Sequence, residues 1–342
     1  MTTEIPFPHV QAAHCESGVI SSLLRHRGIP IDEPMAFGIG AGLFFGHFPF
    51  VKIDRCPLTT FRMPPGFIIG QLCRALRVKI KSERFQDQAT AMAALDKALG
   101  EGIPVGLQVG VFWLPFMPPP MRFHFNAHNL VVYGRNGNDY LISDPCFEHP
   151  VLCEAAALAK ARFAKGPLAP RGRMYYLPPG AAPSTPVGPA MIRGARRTSF
   201  LMIRQPIPFV GCPGIGFLAR RMEQWPRRVG SMTAARYMAQ VIRMLEEIGT
   251  GGSGFRFLFA AYLRTMAGCV EPAKELKILS DELTDIGDRW MEFAVVGARI
   301  CKDRLQDEAA YAQAAEILRD CAVREKTAFR RLAKLPLKAI RS

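Results

Sequence analysis

The first regular pattern of apolar and polar positions begins at Cys15. Over 15–27, CESGVISSLLRHR, apolar residues fall at Val19, Ile20, Leu23 and Leu24, which is one face of a helix, and Gly28-Ile29-Pro30 stops it. The same period predicts amphipathic helices over 67–77 and 88–99, the second ending at Gly100 and Gly102. VKIKS, after the first of these, reads as a short strand, and IPVGLQVGVFW as a buried one. NLVVYG and DYLIS, joined by Arg135-Asn136-Gly137, form a hairpin signal, and RMYYLPP (173–179) is a last strand. The Pro/Gly/Ser-rich run PPGAAPSTPVGP (178–189) reads as a linker. Beyond it the period is helical throughout, over 216–225, 231–248, 254–268, 273–304 and 307–333, with no internal repeat. The expected fold class is therefore α+β for a domain over 1–180, followed by an all-α domain over 190–342.

Two stretches without charge, Met35–Val51 and Gly102–Met121, test for a membrane span. A spanning helix needs about 20 apolar residues in continuous helix. Glycines and a proline interrupt the first stretch and prolines the second, so buried strands and channel-lining loops are expected, with no transmembrane segment. The N-terminus lacks a basic region followed by an apolar run, so no secretory signal is expected. Nine cysteines, an odd number with no C-x-x-C pair, argue against a disulfide framework and a zinc ribbon. Reduced thiols in a cytoplasmic setting are the expectation.

The net charge is +15, and residues 187–342 hold 26 Lys and Arg against 16 Asp and Glu. This surplus suits an acidic partner. No zinc-finger or RNA-recognition signature accompanies it, so nucleic acid is not expected.

Candidate chemistry centres on Cys15. A thiol where a helix begins meets unpaired N–H groups and the positive end of the helix dipole, both of which favour the thiolate. The competing reading is a buried structural cysteine. The hairpin adds a base. If Arg135-Asn136-Gly137 is a three-residue loop, Val132 faces Tyr140, Leu130 faces Ile142, and His128 faces Asp144. An imidazole and a carboxylate then meet on one face, with Asp144 fixing the tautomer of His128. His124 and His128, with Cys146 nearby, raise a metal reading. The segment is extended and gives the histidines no shared helical face, so no metal is expected. Phe44, Phe45 and His47 lie in the glycine-rich charge-free run and are candidates for lining a substrate channel, although such clusters are more often core. Gly249–Gly254 lacks the Lys-Ser/Thr of a phosphate loop and reads as a turn between helices.

The order of a cysteine at a helix start, a strand, His-x-x-V-V-Y-G, a turn and Asp-Pro resembles papain-like cysteine enzymes, nearest to the double-glycine leader peptidase branch. His14-Cys15, Phe37-Gly38-Ile39-Gly40, Gly102-Ile103-Pro104-Val105 and Ser143-Asp144-Pro145 more specifically resemble the N-terminal domain of the butirosin biosynthesis protein H family. Gly251-Gly252-Ser253-Gly254-Phe255-Arg256 resembles the helical domain that often follows it. The resemblance implies a cysteine-dependent acyltransferase with Cys15 as nucleophile, His128 as base and Asp144 as orienting acid. It takes an acyl group from an acyl carrier protein thioester, through an acyl-cysteine, to a small-molecule or lipid-like amine or hydroxyl. No cofactor is implied beyond the phosphopantetheine of the carrier. Papain-like enzymes place an oxyanion-donating glutamine six residues before the nucleophile, whereas Gln11 stands four before Cys15. A cysteine peptidase or thioesterase with the same triad, and a non-catalytic acyl- or peptide-binding protein, are the alternatives. Arg220, Arg221, Arg227 and Arg228, around Trp225, are the expected contacts for an acidic carrier.

Overall fold

The helical stripe that opens the pattern is α1, Cys15–His26, in the computed structural model, which describes residues 2–303 and 308–340. The chain divides into two compact units, one of Met1–Ala36 and Ile68–Thr185, the other of Phe37–Phe67 and Pro186–Ser342. The expected division at 180–190 thus misses an exchange: segment 37–67 joins the second unit.

In chain order the elements up to residue 176 are β1 (Thr2–Glu4), α1, α2 (Glu33–Ile39), β2 (Leu43–Ile53), β3 (Cys56–Arg62), α3 (Phe67–Leu76), β4 (Lys81–Glu83), α4 (Gln88–Gly100), β5 (Val105–Val109), β6 (His128–Asn136), β7 (Asp139–Ser143), β8 (Val151–Glu154), α5 (Ala155–Arg162) and β9 (Met174–Tyr176). The first unit is built on an antiparallel sheet in the order β4-β9-β5-β6-β7-β8, with β1 added along β6. Val105, Leu107, Leu130, Val132 and Ile142 are buried in one core with Leu95, Leu99 and Leu158 of the helices. Gly134 is needed where β1 arrives, because a Cβ there would lie 2.4 Å from the Thr3 carbonyl oxygen.

The β6–β7 hairpin corrects the expected register. Asn136 pairs with Asp139, so the turn is the two residues Gly137 and Asn138, with Gly137 at φ +59°. Next to the turn the pairing is thus three residues away from the expected one, and an odd slip sends every later side chain to the opposite face. A bulge between Val132 and Gly134 takes one residue back, so Val132 faces Ile142 and Val131 faces Ser143. Continued to the strand ends, Leu130 lies opposite Asp144. The displacement from the expected pairing is two residues, the period of a strand, so His128 and Asp144 remain on one face as diagonal neighbours.

The second unit holds the β2–β3 hairpin and nearly all-helical chain from Pro186 onward: α6 (Val187–Ile203), α7 (Gly211–Met222), α8 (Trp225–Val229), α9 (Ser231–Ile242), α10 (Arg256–Met266), α11 (Ala273–Asp303) and α12 (Glu308–Lys334), with a small pair β10 (Val270–Glu271) and β11 (Lys338–Ala339). The architecture is therefore a mixed α/β N-terminal domain followed by an almost all-α one. α6 was not expected and begins inside the expected linker. The end of the expected 273–304 helix, Arg304, and the start of the 307–333 helix, Asp307, lie outside the described residues. No described helix is long and apolar enough to cross a membrane.

The run 251–255 is a turn between helices, as expected, of an unusual kind. Gly251, Gly252, Ser253, Gly254 and Phe255 all have φ between +52° and +86°. For Ser253 and Phe255 that conformation costs about 1–2 kcal/mol each. Their surroundings hold it: Ser253 Oγ donates to the Gly287 carbonyl at 2.7 Å, its N–H donates to Glu246 at 3.1 Å, and Phe255 stacks on Phe37 at 5.1 Å. Immediately beyond, the fully buried Arg256 forms a two-pronged pair with buried Glu325 (Nε–Oε1 2.9 Å, Nη2–Oε2 3.1 Å), and Trp290 Nε1 donates to the same carboxylate at 2.6 Å. Removing the carboxylate strands a buried cation. Glu325→Ala is therefore expected to lower stability by about 3–5 kcal/mol, read as a fall in the urea midpoint with an unchanged slope.

Candidate active site

Three segments of the first unit bring the candidate residues together. Cys15 is the first residue of α1, with His14 as its extended N-cap (φ −131°). Glu33, at the start of α2, accepts from the Ala13 N–H at 2.8 Å, the His14 N–H at 2.7 Å and the Ser17 hydroxyl at 3.1 Å. This carboxylate pins the turn that presents Cys15. Burial raises the Glu33 pKa, although its backbone donors oppose the shift.

His128 opens β6, and Asp144 follows the last residue of β7. The imidazole Nε2 lies 2.7 Å from Asp144 Oδ2, with Asp144 wholly buried. The other carboxylate oxygen accepts from the Cys146 N–H at 3.0 Å. The His128 ring also hydrogen-bonds the Cys15 thiol. Burial opposes a charge on this ring. The Asp144 carboxylate, as a charge and as a hydrogen-bond partner, and then the Cys15 thiol outweigh burial and hold the His128 pKa well above its ordinary value. Cys15 is partly exposed.

The amide that donates toward the Cys15 sulfur is that of Asn129, at 3.9 Å, not that of Gln11, which is exposed. Asn129 is buried and locked. Its Nδ2 also donates to the Ala127 carbonyl at 3.1 Å, and its Oδ1 accepts from the buried Tyr175 hydroxyl at 2.8 Å. Sequence reasoning passed over Asn129, although its place beside His128 was the one available signal.

Cys146 is a second thiol beside the pair. His128, Asp144 and Cys146 present ligating atoms within 4.8 Å of one another, the one such group among the described residues. Both Asp144 oxygens and His128 Nε2 are already engaged in hydrogen bonds, so a metal ion there would have to break the His128–Asp144 contact. Burial pushes the Cys146 thiol up to about 12, with Asp144 and Cys15 adding to the effect against His128. His124 stacks on Phe112 at 4.2 Å and is not part of this group.

The expected channel residues belong to the second unit. Phe45 is fully buried against Phe61 at 5.4 Å and Trp290 at 6.1 Å, and Phe44 is half-buried. His47 is fully buried, with Nδ1 2.9 Å from the Thr59 hydroxyl. Phe45 and His47 are thus core positions of β2 within that unit. Among the expected carrier contacts, Arg227 is ion-paired with Glu308, while Arg221 and Arg228 line a pocket beside Trp225.

Residues 14–145 match the family described as butirosin biosynthesis protein H, N-terminal. Residues 156–332 match a domain of unknown function, DUF4872. No curated protein matches the chain. Among solved structures, one described as a C39-like peptidase from Bacillus anthracis is 13% identical and aligns over 52% of this chain and 98% of its own, with a TM-score of 0.37. The clustered cysteine, histidine and aspartate support cysteine-dependent catalysis of the papain-like kind, and the chain belongs to the family that carries a butirosin biosynthesis protein H N-terminal domain, here followed by a DUF4872 domain.

Proposed function

We propose that the protein is an acyltransferase that moves an acyl group from an acyl carrier protein thioester, through an acyl-cysteine at Cys15, to an amine or hydroxyl acceptor. The observation that carries this reading is His128 held between the Asp144 carboxylate and the Cys15 thiol. Cys15 gives its thiol proton to His128, and its sulfur attacks the thioester carbonyl, forming a new carbon–sulfur bond. The carbonyl oxygen becomes an oxyanion, stabilised by the Cys15 N–H in the first turn of α1 and by the Asn129 amide. Collapse breaks the old carbon–sulfur bond, and the pantetheine thiol leaves with the His128 proton. The acceptor then attacks the acyl-cysteine while His128 removes its proton, and that proton returns to the Cys15 sulfur.

The basic surplus of the second half supports docking of an acidic carrier there, and nine free thiols fit a cytoplasmic setting. The competing chemistry is hydrolysis by the same residues, as a peptidase or thioesterase. The deciding experiment is intact mass after incubation with a panel of acyl carrier thioesters, followed by addition of amine or hydroxyl acceptors. The proposal expects an acyl adduct on Cys15 that outlasts exposure to water and is discharged by an acceptor. An adduct discharged by water alone, with acceptors having no effect, establishes the hydrolase. For the oxyanion role, Asn129→Ala is expected to lower kcat by about 10²–10³-fold while leaving KM within a small factor, as steady-state kinetics would show.

A further inference from the structure

The second unit contains a small pocket that takes no part in the chemical steps proposed at Cys15, lined by Lys52 of β2, Arg221 of α7, Trp225 and Arg228 of α8, and Tyr237 of α9. Three cations converge on it, and no carboxylate is among its lining residues. Arg227, Arg256, Arg264, Arg289, Arg319, Arg324 and Arg331 each pair with an acid, whereas Lys52, Arg221 and Arg228 enter no ion pair among the described residues. Aromatic rings hold two of the three. Lys52 Nζ sits 4.9 Å over the Tyr237 ring and donates to its hydroxyl at 3.3 Å, and the Arg221 guanidinium lies 5.7 Å over Phe217. Cations fixed by rings keep their N–H donors for another acceptor.

Two buried polar atoms sharpen the point. Arg221 Nε is inaccessible and has no hydrogen-bond partner, and neither has Nε2 of His47, whose ring lies 6.3 Å from Trp225. Orphaned buried polar atoms are uncommon and call for an explanation. His47 also senses the uncompensated charge: burial first, then Arg221 and Lys52, pushes its pKa down to about 4.

We propose that the pocket formed by Lys52, Arg221 and Arg228 against Trp225 and Tyr237 binds a phosphate ester. A single carboxylate is matched by one guanidinium fork, whereas three converging cations suit the several oxygens and higher charge of a phosphate. A phosphate ester arrives either free in solution or as a lipid headgroup. The strand that carries Lys52 also exposes Phe50 (67%), Val51 and Ile53, so both sources are tested.

The experiment is calorimetric titration of the full chain with glycerol 3-phosphate at low ionic strength, with sodium acetate as comparison, alongside co-sedimentation with phosphatidylglycerol and phosphatidylcholine vesicles. Saturable one-to-one binding of glycerol 3-phosphate, or retention on phosphatidylglycerol alone, is expected. Arg221→Lys and Lys52→Gln should weaken it by roughly tenfold or more, the loss of a hydrogen bond to a charged group. Arg330→Gln, an exposed arginine elsewhere in the unit, should leave it unchanged. Arg221→Lys keeps the charge, and circular dichroism verifies its fold. Absence of binding in both arms, equal binding of acetate, or equal weakening by Arg330→Gln overturns the proposal. Cys15→Ala protein should bind as wild type does, so this result stands or falls separately from acyl transfer.

Discussion

Cys15→Ala is expected to leave a folded protein whose turnover is lower by about 10⁴-fold or more, the scale seen when a nucleophile is removed from a triad. Position decides among the nine thiols. Cys73 and Cys153 are pushed up to about 12, and burial holds Cys212 well above its ordinary value, so none of these ionises near neutrality. Cys146 is the one real competitor, because it also neighbours His128 and Asp144. Its thiol is likewise pushed up to about 12. Cys15 instead begins a helix, is partly exposed and hydrogen-bonds the imidazole. Iodoacetamide at neutral pH, followed by peptide mass mapping, should therefore modify Cys15 ahead of the others. Cys146→Ala should keep most of the activity. Faster labelling of Cys146, or survival of activity in Cys15→Ala, would reverse the assignment.

The parts of this site that were legible in the sequence are those with a local signature. Cys15 announces itself because the apolar stripe of α1 starts just after it. The hairpin is marked by Gly137, yet its loop length and the bulge at Tyr133 are not, since a bulge depends on both neighbours of β6. His128 still reached Asp144 because two slips restored the face that one would have lost. Asn129 carries no charge and no period. Its place depends on Tyr175, 46 residues away in the chain. Glu33 was equally silent, as its partners are backbone N–H groups before Cys15. In 37–47 burial of nearly every residue erases the alternation that would mark a strand, so the segment's transfer to the second unit left no trace.

Asp144→Asn should lower turnover by about 10⁴-fold while preserving the fold, an effect of tautomer rather than of packing. The carboxylate accepts twice, from His128 Nε2 and from the Cys146 N–H. An asparagine has one acceptor oxygen. If that oxygen serves the Cys146 N–H, its NH₂ group faces Nε2, which must then be unprotonated. The proton moves to the other ring nitrogen, and the ring can no longer take one from Cys15. If the oxygen serves His128 instead, the NH₂ group opposes the Cys146 N–H. Either way the imidazolium loses its counter-charge. Because Asp144 and the thiol hold His128 above its ordinary 6.5, the pair strengthens the fold in a defined pH window. That contribution is complete below 6.5 and fades as pH rises through the raised folded value. The stability difference between wild type and Asp144→Asn should therefore shrink toward alkaline pH, as urea unfolding at a series of pH values would report. In the rate–pH profile, loss of the His128 proton sets the alkaline limb. That limb should lie well above 6.5 in wild type and move down in the variant. A variant with unchanged limb position and only a few-fold loss of turnover would show that Asp144 is a structural partner of His128 and not its orienting acid.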